Sequence, residues 1–204
     1  RTLAIGLEDF AVPGTSLERT VEWVAVNAHL ANYEFRKYKE APKEGWKEIR
    51  ALELIATDSQ RIAAATKTGA IIGELTNLCR DIANTPGRDM TPTDLAAIAK
   101  RAGRDWGFDV NVLDRDEIKR LKMGAIIGVA KGSDEEPQFI VMEYRKAGAA
   151  KPIVLVGKGV TFDTGGLSIK QPSSMYEMHL DMSGGAAVIA AMAAIAGLNL
   201  AANV

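Results

Sequence analysis

Apolar and polar positions along the chain follow two different periods, which together predict an α/β protein. Short apolar runs rich in β-branched residues predict strands, and apolar positions three and four residues apart predict helices between them. The predicted strands are 3–7, 46–57, 108–113, 124–130, 138–144 and 152–156. The predicted helices are 17–35, 58–84, 91–107, 114–121 and 186–198. We therefore expect a mixed or mostly parallel central sheet flanked by helices.

The long helix predicted at 58–84 divides the chain into two parts. Asp58-Ser59 can cap its start, and the turn Thr85-Pro86-Gly87 ends it. We expect residues 1–57 to form part of an amino-terminal α/β domain and 58–84 to form a linker helix. Residues 85–204 would form the amino-terminal part of a second, catalytic α/β domain.

The chain ends and the composition indicate a fragment of a cytoplasmic protein. The chain starts at Arg1 without a methionine and stops at Val204 on a strand-like run, so we expect sequence to be missing at both ends. A net charge of −1 gives no reason to expect nucleic acid or a membrane as a partner. The apolar run 186–198 is too short to span a bilayer. The single cysteine, Cys79, suits a reducing compartment, so we expect a cytoplasmic protein.

Charged side chains and glycines cluster between the last predicted strand and the last predicted helix. Lys158, Asp163, Lys170 and Asp181 lie in this cluster, and ligands of open α/β sheets bind where strands end. Two carboxylates from separate elements can bind Zn²⁺, Mg²⁺ or Mn²⁺, although Asp181 could instead cap the final helix. The lysines could pair with the carboxylates, ligate a metal after losing a proton, or act as charged electrophiles.

Other kinds of site receive less support from the sequence. The glycine-rich turn could bind phosphate or a nucleotide, but neither G-x-x-x-x-G-K-[ST] nor G-x-G-x-x-G occurs. H-E-x-x-H is absent, and no G-x-S-x-G elbow precedes a helix. His29 lies on a predicted helix without a second ligand type at helical spacing, so we interpret it as a packed or surface histidine.

Two motifs in this cluster resemble the signature of the leucyl (cytosol) aminopeptidase family. They are Gly157-Lys158-Gly159-Val160-Thr161-Phe162-Asp163-Thr164-Gly165-Gly166, followed by Lys170, and Met178-His179-Leu180-Asp181-Met182. Further segments that resemble the family in the same order are 31–39, 84–86, 91–96, 123–125 and 128–133. The resemblance therefore covers nearly the whole chain.

The resemblance implies a two-metal exopeptidase that removes amino-terminal residues, with leucine-like residues preferred, from peptides. It implies that Lys158, Asp163 and Asp181 ligate the metals, with Lys158 as a neutral amine and Asp163 as the bridge between them. Lys170 would stay charged and stabilise the oxyanion, and Met178 would line the pocket for the first side chain. The implied cofactors are two divalent ions, Zn²⁺, Mn²⁺ or Mg²⁺, and the implied assembly is a homo-hexamer.

The sequence departs from the family pattern in ways that matter for activity. Ser183 stands where glycines are expected to begin, and His179 stands where a basic residue is common; neither is an expected ligand. The family's remaining Asp and Glu ligands and its arginine lie in an N-T-D-A-E-G-R motif, which does not occur in these 204 residues. We therefore expect this chain alone to bind metal weakly and to hydrolyse nothing. A non-catalytic family member that acts as an assembly or binding subunit stays open as the alternative.

Overall fold

The computed structural model of the chain describes residues 1–10, 12–56, 59–167 and 169–204. The fold is α/β, as predicted, and the described residues form one parallel and one antiparallel pair of strands with helices around them. The chain divides into two compact units, Arg1–Asn77 and Leu78–Val204. The division predicted from the sequence, with a linker helix at 58–84, stays a prediction, and its proposed cap residue Asp58 lies outside the described residues.

The first unit is built on a parallel pair of strands joined by a helical crossover. Strand β1 pairs with β2 from Thr2 opposite Ala51 to Gly6 opposite Ile55. Parallel strands need a long connection, and helix α1 with the 3-10 helix after β1 supplies it. The bounds are β1 Thr2–Gly6, the 3-10 helix Leu7–Phe10, α1 Leu17–Ala31, β2 Ala51–Ile55 and α2 Ser59–Asn84, which continues into the second unit. A small buried core of this unit contains Leu7, Val21, Ile62 and Ala65.

Helix α1 ends at Ala31, four residues earlier than the sequence predicts. The cap residue Asn32 accepts a hydrogen bond from the Ile49 backbone at 2.9 Å and donates one to the Ile49 carbonyl at 2.8 Å. A partner 17 residues away along the chain therefore sets the end of this helix. Local periodicity cannot show such a contact.

Helices α1 and α2 approach each other closely at two glycines of α2. A Cβ at Gly69 would lie 2.5 Å from the Glu22 carbonyl oxygen, and one at Gly73 would lie 2.6 Å from the His29 Cβ. The His29 carbonyl also accepts a hydrogen bond from Asn77 at 3.0 Å. These contacts fit the interpretation of His29 as a packed side chain.

The second unit contains an antiparallel pair of strands covered by helix α3. Strand β3 pairs with β4 from Asp109 opposite Glu143 to Leu113 opposite Phe139, and α3 packs against β3, β4 and α7. The bounds are α3 Pro92–Trp106, β3 Asp109–Leu113, α4 Arg115–Arg120, α5 Gly124–Ala130, β4 Phe139–Glu143, α6 Pro172–Met175, a 3-10 helix Met178–Leu180 and α7 Ser183–Gly197. Small side chains of α3 and α7 are buried, including Ala96 and Ala99 of α3 and Ala186 and Ala193 of α7.

Helix α3 begins and ends where its sequence predicts. Thr91 and Asp94 form a reciprocal capping box at its start, and Pro92 occupies the first turn. Gly107 ends the helix in the left-handed region with φ 85°, a conformation that glycine adopts without steric cost. These local signals set the two ends of α3.

The prediction of a strand at 124–130 is wrong, because residues Gly124–Ala130 form helix α5. A short apolar run with β-branched residues fits either structure. Among the described residues this segment pairs with no strand, so its backbone groups bond locally. The Ile127 amide donates to the Met123 carbonyl at 3.4 Å, and α5 packs on α4.

The buried strand predicted at 152–156 is also not found. The segment is not assigned to a strand, although the Ile153 amide donates to the Asn203 carbonyl at 2.8 Å. Val154 is 77% exposed and Val156 is 90% exposed. A buried strand needs cover on both faces, and the described residues do not supply it here.

The stretch Pro172–Gly197 is long and apolar enough, by length and composition alone, to cross a membrane. In the structure it is divided into α6, a 3-10 helix and α7. Helix α7 has 15 residues, fewer than the roughly 20 that span a bilayer. Its buried residues include Ile189, Met192 and Ala193, as expected for a core helix.

Candidate metal centre

The candidate site lies where the extended segment after residue 156 meets the first turn of α7. The Lys158 carbonyl accepts a hydrogen bond of 2.7 Å from the Gly185 amide, one of the amides that a helix start leaves without an intrahelical partner. On its other side the segment meets α3, since a Cβ at Gly159 would lie 3.4 Å from Leu95 Cδ2. The turn that contains Gly87 is also close to this segment, since a Cβ at Gly87 would lie 3.1 Å from Phe162 Cβ. Lys158 and Asp163 are thus carried by a segment held between three elements.

Four charged side chains predicted as site residues come together there. Lys158 Nζ lies 2.7 Å from Asp181 Oδ2 and 4.0 Å from Asp163 Oδ2. Lys170 Nζ lies 2.9 Å from the same Asp163 oxygen. Two carboxylates and two ammonium groups therefore form one continuous set of contacts, and the Lys158 amine lies between the two carboxylates.

The turn after Asp163 fixes the direction of its carboxylate. Asp163 Oδ1 accepts a hydrogen bond of 2.6 Å from the Gly165 amide, and the Lys170 amide donates to the Thr164 carbonyl at 3.0 Å. Gly165 and Gly166 have φ values of 78° and 133°, which side chains other than hydrogen rarely allow. The glycine pair lets the chain reverse so that Lys170 returns to Asp163.

The charges shift the ionisation of two groups in the site. The neighbouring Lys170 ammonium, followed by the Gly165 amide, holds the pKa of Asp163 below its ordinary value. The adjacent Asp181 carboxylate, with a smaller contribution from Asp163, raises the pKa of the Lys158 amine above its ordinary value. Without a metal, Lys158 therefore carries a proton that a metal would have to displace.

The geometry of Asp181 fits a metal ligand better than a helix cap. The residue at the cap position of α7 is Met182, and it makes no side-chain capping bond. Asp181 Oδ2 is buried and accepts no well-directed hydrogen bond from any described residue, although Lys158 Nζ is close enough for an ion pair. Among the described residues the Lys158 ammonium is the cation that compensates this buried oxygen, so a metal bound there would have to take over that role.

The donor set consists of oxygen and amine nitrogen. No group of three or more His, Cys, Asp or Glu side chains could hold a metal among the described residues, so Lys158 is needed beside Asp163 and Asp181. Carboxylate oxygens suit Mg²⁺, Mn²⁺ and Zn²⁺. The residues present fit a divalent cation but leave its shell incomplete.

Met178 lies beside the catalytic lysine candidate. Its sulfur is 2.8 Å from Lys170 Nζ, so the thioether and the Asp163 carboxylate share the same ammonium group. The structure thus brings all five predicted site residues to one place, while their roles stay predictions.

The sequence did not predict that Gly157, Gly184 and Gly185 pack closely at the site. The available signal was their position in the sequence, directly beside Lys158 and a few residues after Asp181.

Comparison with known proteins identifies the family. The model of the cytosol aminopeptidase family catalytic domain matches residues 77–204, which is more than half of the chain. The chain therefore belongs to the cytosol aminopeptidase family. This establishes the peptidase class at the level of the family.

Individual relatives agree with this assignment. The probable cytosol aminopeptidases of Burkholderia mallei and Burkholderia pseudomallei are 42% identical over 194 residues, which is 92% of this chain and 39% of theirs. The bottromycin maturation enzyme BotP, solved in complex with Mn, is 30% identical with a TM-score of 0.82 over 100% of this chain and 42% of its own. Cytosol aminopeptidase from Coxiella burnetii is 25% identical with a TM-score of 0.82, over 99% of this chain and 40% of its own. The chain thus spans about two fifths of the length of these relatives.

Proposed function

We propose that the protein is a metal-dependent aminopeptidase that removes amino-terminal residues from peptides with the help of two divalent cations. The observation that carries the proposal is the set of contacts, none longer than 4.0 Å, that joins Lys158, Asp163, Lys170 and Asp181. Family membership supports the reaction type. The Mn complex of BotP supports a divalent metal, and the names of the relatives support a cytoplasmic location.

The two carboxylates and Lys158 are the proposed metal ligands. Asp181 and the neutral Lys158 amine would hold one cation, and Asp163 would be a ligand shared with the second. When bound, such a pair of cations activates water and polarises the scissile carbonyl. The cations are Zn²⁺, Mn²⁺ or Mg²⁺ by donor type. Because the expected N-T-D-A-E-G-R motif is absent from the 204 residues, the chain alone would bind metal weakly.

Lys170 and Met178 act on the substrate. Lys170 would keep its proton and donate to the developing oxyanion, which needs a preorganised cation more than the uncharged carbonyl does. Met178, in contact with the Lys170 amine, would contact the first side chain of the peptide and favour leucine-like residues. The substrates are peptides with a free amino terminus, and the proposed assembly is a homo-hexamer without nucleic acid or membrane partners.

The proposal is tested by metal binding and peptide hydrolysis together, on the protein at its full natural length. We expect hydrolysis of leucyl amide that depends on added Mn²⁺ or Zn²⁺ and is lost in Asp181→Asn. The matched control is Asp134→Asn, in an exposed turn remote in sequence from the site, which should behave as the unmodified protein. Metal-dependent hydrolysis that survives Asp181→Asn would contradict the ligand assignment. Metal binding without hydrolysis of any peptide would favour a non-catalytic family member.

A further inference from the structure

Three glycines outside the proposed ligand set lie where the Lys158 backbone touches α7. A Cβ built on Gly157 would overlap the carbonyl group of Gly184, lying 2.6 Å from its carbon. A Cβ on Gly184 would lie 3.0 Å from the Lys158 amide nitrogen, and one on Gly185 would lie 3.2 Å from the Lys158 carbonyl oxygen. The atoms approached are backbone atoms, which cannot rotate away as the end of a flexible side chain can.

None of these glycines is needed for an unusual backbone conformation. The positive φ values in this region belong to Gly165 and Gly166, not to Gly157, Gly184 or Gly185. The requirement for glycine at the three positions is therefore the close approach itself. The Gly185 amide completes the contact by donating to the Lys158 carbonyl at 2.7 Å.

The close approach determines how far the Lys158 side chain must reach. Lys158 Nζ meets Asp181 Oδ2 at 2.7 Å, and Asp181 lies just before the first turn of α7, which contains Gly184 and Gly185. Any added Cβ would push the Lys158 backbone and α7 apart. The ammonium group and the carboxylate would then separate, and the ligand pair would no longer converge.

We infer that Gly157, Gly184 and Gly185 are positioning residues that hold the Lys158 backbone against α7 so that its amine converges with Asp181. The inference rests on the proposed function in one respect, namely that the converging amine and carboxylate bind a metal. The placement of the amine itself is independent of metal. Two readouts therefore separate the two ideas.

The first readout is the acetylation rate of the Lys158 amine without metal, followed by mass spectrometry in the protein at its full natural length. In Gly157→Ala and Gly184→Ala we expect Lys158 to be acetylated about two- to fivefold faster, as its ion pair is lost. The smaller displacement in Gly185→Ala should give a smaller increase, and this variant carries the test if Gly157→Ala does not fold. Acetylation of Lys131, on an exposed turn, gives the internal reference.

The second readout is the Mn²⁺ affinity of the folded protein. We expect about 10- to 100-fold weaker binding in Gly157→Ala, the range typical when support for a metal ligand is removed. Two other glycines of the same unit supply controls. Gly103→Ala places a Cβ 2.6 Å from Val110 Cγ2, and Gly128→Ala meets nothing within 4 Å. Gly103→Ala should lower the melting temperature without changing the Lys158 acetylation rate or the Mn²⁺ affinity. Gly128→Ala should not lower the melting temperature and should leave both quantities unchanged.

The results distinguish failure of the inference from failure of the proposed function. Folded Gly184→Ala and Gly185→Ala proteins with unchanged Lys158 acetylation would overturn the positioning role. An equal change in Gly103→Ala would overturn it as well, because general destabilisation would then suffice. An unmodified protein that binds no Mn²⁺ while the glycine variants accelerate acetylation would refute the metal site and support the positioning role.

Discussion

Removal of the Lys170 amine separates oxyanion stabilisation from metal binding. Lys170 Nζ lies 2.9 Å from Asp163 Oδ2 and 2.8 Å from Met178 Sδ. Lys170→Met retains an unbranched apolar side chain and removes the charge and its three donors. Asp163 keeps the hydrogen bond of 2.6 Å from the Gly165 amide, so its carboxylate should keep its direction.

The expected loss of activity follows from the loss of one donor to the oxyanion. Removing such a donor typically lowers kcat by about 10²- to 10³-fold, or roughly 3–4 kcal/mol of transition-state stabilisation. Metal affinity should not weaken, because Lys170 competes with cations for the Asp163 carboxylate. The pKa of Asp163 should rise towards its ordinary value, since Lys170 is the largest cause of its lowering.

The assay measures two quantities, kcat for leucyl amide and Mn²⁺ affinity, in the protein at its full natural length. Each quantity is compared between the unmodified protein and Lys170→Met. Lys131→Met, on an exposed turn, is the matched control and should leave both quantities as they are. Unchanged kcat in Lys170→Met would refute the proposed role. Loss of Mn²⁺ from this variant would show that Lys170 supports the metal site instead.

Three further predictions concern stability and pH. Gly69→Ala should lower the free energy of unfolding by about 1–3 kcal/mol in urea denaturation, because its Cβ would lie 2.5 Å from a backbone oxygen of α1. The control Gly128→Ala has open space around its Cβ and should not lower it. Equal effects of the two substitutions would contradict the described packing of α1 on α2. Thr91→Ala removes one side of the capping box and should cost about 1 kcal/mol in the same measurement, with no loss expected if Thr91 does not cap α3. Asp163, with its lowered pKa, stabilises the metal-free fold above about pH 4 and loses this contribution as the pH falls through the lowered value. Asp163→Asn should therefore flatten the pH dependence of stability on the acid side, and an unaltered curve would count against the Lys170 contact.

Local sequence signals predicted the helices that have clear ends. Thr91 with Asp94 marks the start of α3, and Gly107 marks its end, because capping groups act within one turn of the helix. The start of α4 follows Asp114 for the same reason. Strand assignments depended on partners elsewhere in the chain, and the segments 124–130 and 152–156 were predicted incorrectly on that account.

The candidate site shows the same division between local and distant information. The charged, glycine-rich cluster in the sequence selects Lys158, Asp163, Lys170 and Asp181, and the family resemblance adds Met178 and the expected roles. The sequence could not show that the Lys158 amine lies between two carboxylates, or that Asp181 Oδ2 is buried. Those facts depend on how closely the extended segment approaches α7, which is set by backbone contacts between residues distant in sequence.

The proposed function requires that Lys158, Asp163 and Asp181 share a divalent cation. The most direct measurement is anomalous diffraction from crystals of the protein at its full natural length soaked with Mn²⁺. We expect an anomalous peak about 2.0–2.3 Å from Lys158 Nζ and from an oxygen of Asp181, with Asp163 as a further ligand. A bound Mn²⁺ at a distance from these side chains, with the Lys158 ammonium still paired to Asp181, would contradict it.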